Sequence, residues 1–255
     1  MIKDNNPNLW LSEFPQKSVD GHKYDYGHAL IYAAPELTGA TRLAAQACAR
    51  IGAGLTTVLC SPETSSIYKS TLPAHIMVRD EYDWFDKRVT ARLFGPGGLA
   101  KGVRVLLNRP AVIDADALLG LPQDLHENIV LTPHEGEFSR AFPEIAGTRE
   151  ERALAVAQKT GAVVVLKGRE TLIASPDGQV VVNKCASPYL ATAGTGDVLA
   201  GIITGLLAQG MSGFSAACAG VYVHGSASLM IGPGLVASDL EKKIVEVLKE
   251  ELGIS

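Results

Sequence analysis

Short apolar runs separated by helix-length stretches restrict this chain more than any other feature. His28–Ala34 (HALIYAA) and Leu55–Cys60 (LTTVLC) lack the strict apolar–polar alternation of a half-exposed strand, so both read as strands of a covered sheet. Between them Pro35–Gly39 turns the chain, Ala40–Ile51 has helical spacing and many alanines, and Gly52–Gly54 ends the helix. Strand, glycine-containing loop, helix and strand over this distance form a βαβ unit. The alternation continues: His75–Val78, Arg92–Phe94, Ala111–Ile113, Ile129–Thr132 and Ala162–Leu166 read as strands, and Leu99–Leu107 and Arg149–Thr160 as helices. Pro133–Glu137 opens another helix. Thr171–Ala174 and Gln179–Val182, joined through Pro176-Asp177-Gly178, have the pattern of an antiparallel hairpin. Helices are expected near Val198–Ala208, Phe214–Met230 and Ser238–Leu248, while Met1–Tyr26, polar with Pro7 and Pro15, reads as an arm. No repeat or linker divides the chain. One α/β domain over residues 1–255 is expected, its mainly parallel sheet covered by helices on both faces.

Composition removes several function classes. The net charge is −4 and no stretch gathers Lys or Arg into a block, which argues against a nucleic-acid partner. Cys48, Cys60, Cys185 and Cys218 lie far apart with no CxxC pair, so neither a zinc site nor a disulfide framework is expected. Reduced thiols in a cytoplasmic protein are the expectation, and the N-terminus lacks the apolar core of a signal peptide. Val198–Met230 is rich in apolar residues, but Gln209, Gly210, Ser212, Gly213 and His224 interrupt it. Two buried helices are expected there, and no membrane segment.

Ligands of open α/β sheets bind beyond the carboxyl ends of the strands. Thr38-Gly39-Ala40, Gly95–Gly98, Asp114–Asp116, Pro133–Glu137 and Lys167–Thr171 all fall at such ends. Each alone is better explained as a turn, a cap or a solvated charge; their shared rim is what suggests a site. The sharpest stretch is Leu190–Gly210, LATAGTGDVLAGIITGLLAQG. Its small-residue loop Ala191–Gly196 runs into Asp197 and an apolar helix, and a helix start offers unpaired N–H groups and partial positive charge to an anion. Asp197 is then either a catalytic base beside a phosphoryl group or simply an acid in the favoured first turn. There is no Walker A pattern, no GxGxxG after the first strand and no GxSxG, which argues against P-loop, dinucleotide-binding Rossmann and α/β-hydrolase folds.

The loop AGTGD followed by VLAGII resembles the signature of the ribokinase-like superfamily. With LTPHEGEF, VIDADAL, VLKGRETLIASPDG, FGPGG and the first βαβ unit, in order from Gly21 to about Leu207, the chain resembles the ADP/ATP-dependent NAD(P)H-hydrate dehydratases. His134-Glu135-Gly136-Glu137 departs from the family's usual HPGE, and Ala33-Ala34-Pro35 from its usual Gly-Gly-Ser or Ala-Gly-Ser. The resemblance implies a ribokinase-like three-layer sandwich and dehydration of NADHX or NADPHX to NADH or NADPH, driven by ADP or ATP. It implies Asp197 as catalytic base and Ala193, Gly194, Thr195 and Gly196 as the anion hole. Lys167, Gly168, Arg169, Glu170, Thr171 and Gly196 correspond to the nucleotide-contacting set; Ala40, Gly97, His134 and Asp197 correspond to the hydrate-contacting set. Mg²⁺ is expected because nucleotide phosphates carry it, with no protein metal ligand assigned. The family also implies a homotetramer and an epimerase partner on a separate chain. The alternative is a kinase of the same superfamily acting on a small alcohol, hydroxyethylthiazole- or pyridoxal-like; a binding module that has lost catalysis is a third reading.

Overall fold

In the computed structural model, which describes residues 2–81, 83–122 and 124–254, the strand runs serve two apolar layers at once. Met1 and Ser255, the ends of the expected domain, lie outside the described residues. In strand β2 (His28–Tyr32), Ala29 and Ile31 face one core while Leu30 and Tyr32 face the other. The same division recurs in Val163 and Val165 against Val164 and Leu166, so continuous apolar strands follow from burial on both faces.

The other strands are β1 (Lys3–Asp4), β3 (Leu55–Leu59), β4 (Met77–Arg79), β5 (Ala91–Phe94), β6 (Ala111–Ile113), β7 (Ile129–Leu131), β8 (Val163–Leu166), β9 (Thr171–Ala174) and β10 (Val180–Asn183). They form one sheet in the order β1-β10-β9-β8-β7-β6-β5-β2-β3-β4. Only β9 runs antiparallel to its neighbours. The helices are α1 (Thr38–Arg50), α2 (Pro62–Thr71), α3 (Glu135–Ala141), α4 (Arg149–Thr160), α5 (Thr195–Ala208), α6 (Gly213–Ile231) and α7 (Ala237–Glu246). Helices α1, α5, α6 and α7 cover one face; α3 and α4 cover the other. The sheet is mixed and mostly parallel, between two helical layers, as expected from the sequence.

The chain builds outward from β2 to β3 and β4, then returns to place β5 on the opposite side of β2. This reversal opens a crevice between the carboxyl ends of β2 and β5. Helix α5 lies against both strands and crosses α1 closely. A Cβ on Gly201 would lie 2.2 Å from the Ala44 carbonyl oxygen, and one on Gly205 would lie 2.7 Å from that of Cys48. The two glycines therefore set the height of α5, and with it the position of its first turn.

Three sequence expectations differ from the structure. Leu99–Leu107 is not a helix: Gly102 has φ +87°, and the half-buried Val103, Val105 and Leu107 alternate with exposed Arg104 and Leu106. That two-residue period belongs to an extended strap over the second core. The N-terminal arm contributes β1, whose backbone pairs with β10 although its residues are polar. Helix α2 was not expected, since PETSSIYKST has little apolar signal; Pro62 starts it, and Tyr68 anchors it by donating to the Ala34 carbonyl at 2.7 Å. Helix α6 is long and apolar enough to cross a membrane, yet 72% of that stretch is buried inside the fold.

Candidate active site

Gly194 sets the geometry at the start of α5. It adopts φ +90°, a left-handed conformation that favours glycine, and turns the chain into the helix. The side chain of Thr195 is used up in holding this turn, donating to the carbonyls of Leu190 and Thr192 at 2.9 and 3.1 Å. The N–H groups of Ala193, Gly194, Thr195, Gly196 and Asp197 donate to no acceptor among the described residues. A run of free amides at the positive end of a helix has the means to receive an anion.

Behind this turn, α6 supplies a residue that motif reading missed. His224 is buried, and its Nε2 lies 2.9 Å from the Thr195 carbonyl. Burial, aided by the nearby Lys167 charge and opposed by the Thr195 bond, lowers its pKa to about 4. The ring is neutral at pH 7 and donates from Nε2. The available signal was a lone histidine within a 19-residue apolar helix.

Asp197 faces a small buried charge cluster assembled from three other strand ends. Lys167 Nζ, following β8, lies 2.9 Å from Asp114 Oδ1 and 3.7 Å from Glu137 Oε2. Asp114, following β6, also accepts from Thr132 Oγ1 at 2.8 Å. The same ammonium would lie 3.3 Å from a Cβ on Gly196, which brings it to the first turn of α5. Burial would lower the Lys167 pKa, but the Asp114 and Glu137 carboxylates outweigh it and the net direction is upward. Burial, with repulsion from Asp114 and Glu137, raises Asp197 to about 6 against the pull of Lys167. No described residue donates a hydrogen bond to the Asp197 carboxylate. It is half-buried and ionised at neutral pH with its oxygens free of hydrogen-bond donors, the condition that suits a proton acceptor.

The loop expected to meet the nucleotide and the start of α5 share one cleft. A cavity of about 1160 Å³ is lined by Lys167, Gly168, Arg169 and Glu170 on one side and Ala193, Thr195 and Gly196 on the other, with His134 at its edge. Thr171 lines a smaller cavity of about 130 Å³ beside His224 instead. The residues expected to meet the hydrate are divided. Ala40 and Gly97 meet in the β2–β5 crevice, where Gly97 has φ +78° and a Cβ there would lie 2.9 Å from that of Ala40. His134 caps α3: its Nδ1 accepts from the N–H groups of Gly136 and Glu137 at 3.0 and 3.2 Å. Its proton is therefore on Nε2, which lies 3.3 Å from Glu137 Oε1. Asp116 is exposed, near Gly98.

Arg149 was also missed. Its guanidinium donates to the carbonyls of Glu170, Leu166 and Lys167 and to Glu135. Among the described residues no three His, Cys, Asp or Glu side chains are grouped to hold a metal ion, and Asp114 Oδ1 is already occupied by Thr132 and Lys167. A resident metal does not fit this donor set.

A mostly parallel sheet with its crevice at the reversal, and a glycine-turned helix start beside a half-buried aspartate, is a ribokinase-like fold. Residues 29–249 match the model of the NAD(P)H-hydrate dehydratase family. The chain is 35% identical over 264 residues to the ADP-dependent (S)-NAD(P)H-hydrate dehydratase of Neisseria meningitidis, covering 89% of this chain and 86% of that one. It is 39% identical over 249 residues to the bifunctional NAD(P)H-hydrate repair enzyme of Moorella thermoacetica, covering 85% of this chain and 47% of the relative. The chain thus spans about half the length of the bifunctional relatives it matches. The ADP/ATP-dependent NAD(P)H-hydrate dehydratase of Bacillus subtilis, co-crystallised with ATP/Mg²⁺, superposes with a TM-score of 0.85 at 29% identity, covering 97% of this chain and 98% of that one. This chain belongs to the NAD(P)H-hydrate dehydratase family.

Proposed function

We propose that the protein dehydrates the S epimer of NADHX or NADPHX at the expense of ADP or ATP. The observation that carries this reading is Asp197, a half-buried carboxylate with no hydrogen-bond donor, directly following the free amides of Ala193–Gly196. Hydroxide is a poor leaving group, so the ring hydroxyl must first be converted to a better one. Asp197 accepts the hydroxyl proton as that oxygen attacks the terminal phosphoryl group. The amides of Ala193, Gly194, Thr195 and Gly196 stabilise the charge that develops on the phosphoryl oxygens. The P–O bond to AMP or ADP breaks. Inorganic phosphate then leaves the ring with assistance from the nitrogen lone pair, a ring proton is lost, and the double bond of the reduced nicotinamide returns.

In this reading Lys167, Gly168, Arg169, Glu170 and Thr171 receive the nucleotide, and Ala40, Gly97 and His134 receive the hydrate. Mg²⁺ arrives on the nucleotide phosphates and is not held in a protein cage. Incubation with the hydrate and ADP or ATP tests the proposal: absorbance of the reduced nicotinamide should return with stoichiometric phosphate. A stable phosphorylated alcohol formed from another substrate, with the hydrate unchanged, would establish the kinase reading instead. The free thiols of Cys48, Cys60, Cys185 and Cys218 support a cytoplasmic setting. Exposed Tyr189, Leu229 and Val236 support subunit contacts in an oligomer, tetrameric by family resemblance. Sedimentation velocity reports that state directly.

A further inference from the structure

Arg149 occupies a place where a cation is electrostatically unfavourable. It is the first residue of α4, whose start is capped by Thr148 and Glu151 and carries the positive end of the helix dipole. Its side chain leaves the helix and spans the base of the loop between β8 and β9. Nη1 donates to the Glu170 carbonyl at 2.9 Å, and Nη2 to those of Leu166 and Lys167 at 3.3 and 3.4 Å. Nε donates to Glu135 Oε1 at 2.6 Å, and the other Glu135 oxygen accepts from Arg152 at 2.7 Å.

We infer that Arg149 is a positioning residue for nucleotide binding, holding the 167–170 backbone in the orientation that presents it to the cleft. The inference rests on the reading of this loop as the nucleotide-contacting segment. In a trans peptide the C=O and N–H point to opposite sides. Fixing the Lys167 carbonyl on Arg149 therefore turns the Gly168 N–H the other way, and Gly168 lines the cleft. A Cβ on Gly168 would lie 2.4 Å from Nη2, so the guanidinium packs directly against the backbone of this loop. The planar fork serves several acceptors at once, which a lysine ammonium on a flexible stem cannot reproduce. Glu135 adjoins the capping residue of α3, so the same arginine joins the nucleotide loop to the His134 edge of the cleft.

Arg149→Met and Arg149→Lys test the inference together. Each should raise the KM for ADP at least tenfold, leave the KM for the hydrate within twofold and lower kcat less than threefold. A purely structural clamp between α3 and α4 would instead lower Tm with the KM for ADP within twofold of wild type, and that result overturns the inference. Amide hydrogen exchange of the wild-type protein separates the underlying reading from the inference. ADP should slow exchange across residues 167–171. No protection there would overturn the nucleotide assignment and the role of Arg149 with it; protection in wild type and an undiminished affinity in Arg149→Met would overturn the role of Arg149 alone.

Discussion

In the proposed reaction Asp197 carries two opposed requirements in one side chain. A base must be ionised at working pH, while burial beside Asp114 and Glu137 pushes its pKa to about 6. The compromise leaves it charged at pH 7 and close enough to neutrality to take a proton readily. Asp197→Asn removes the base while keeping shape, so it should bind ADP near normally and lose at least 10²-fold in turnover. Near-normal dehydration by that variant would take Asp197 out of the base role. The ionised carboxylate also costs the folded state free energy, so the same variant should be more stable at pH 7 by about 1–3 kcal/mol, measured by urea unfolding. Lys167 is the cation that limits the shift. Lys167→Met should therefore move the acid limb of the kcat/KM profile to higher pH, losing more activity at pH 6 than at pH 8. A loss equal at both pH values would mean that Lys167 acts without tuning Asp197.

At the level of elements, legibility followed the range of the signal. Strands β2, β3, β6, β7 and β8 were readable because burial on both faces leaves an unbroken apolar run, and the α4 caps Thr148 and Gly161 mark its ends locally. Leu99–Leu107 was misread because its apolar residues suit either period, and a positive-φ Gly102 decides against the helix. β1 carries no side-chain signal, since its partner is the backbone of β10, far along the chain. Asp197, His134 and the Lys167 loop were visible in short motifs, whereas the Lys167–Asp114 pair and the Arg149 and His224 contacts join residues separated by 14 to 53 positions. Such contacts exist only once the sheet has formed. Helix α5 shows how element and site are linked. The Cβ of Gly201→Val would meet the Ala44 carbonyl, a backbone atom that no rotamer change can move. It should cost about 1–3 kcal/mol of stability and lower kcat by lifting the first turn of α5 away from the cleft. Thermal unfolding and steady-state kinetics report both effects; an unchanged kcat in the folded variant would break the link between helix height and anion hole.

Across the whole molecule, the site imposes two titrations of opposite sign on stability. His224 has its pKa lowered to about 4 when folded, from an ordinary 6.5. Its neutral burial therefore favours the fold above pH 6.5, and that contribution is lost as pH falls from 6.5 through 4. Asp197 is raised from 3.8 to about 6, so the fold gains stability as pH falls through 6 and loses it on ionisation. Between pH 7 and pH 5 the histidine should cost on the order of 2 kcal/mol and the aspartate return roughly 1 kcal/mol. The two partly offset each other in the wild type, so single substitutions should separate them. Asp197→Asn leaves the histidine unopposed, and its stability should fall more steeply than wild type on acidification to pH 5. His224→Gln retains a donor for the Thr195 carbonyl without the titration, and its stability should fall less than wild type over the same range. Urea unfolding of the three proteins at pH 7 and pH 5 measures these differences, with the other carboxylates common to all three. Parallel losses in all three would mean that neither group is linked to the stability of the fold.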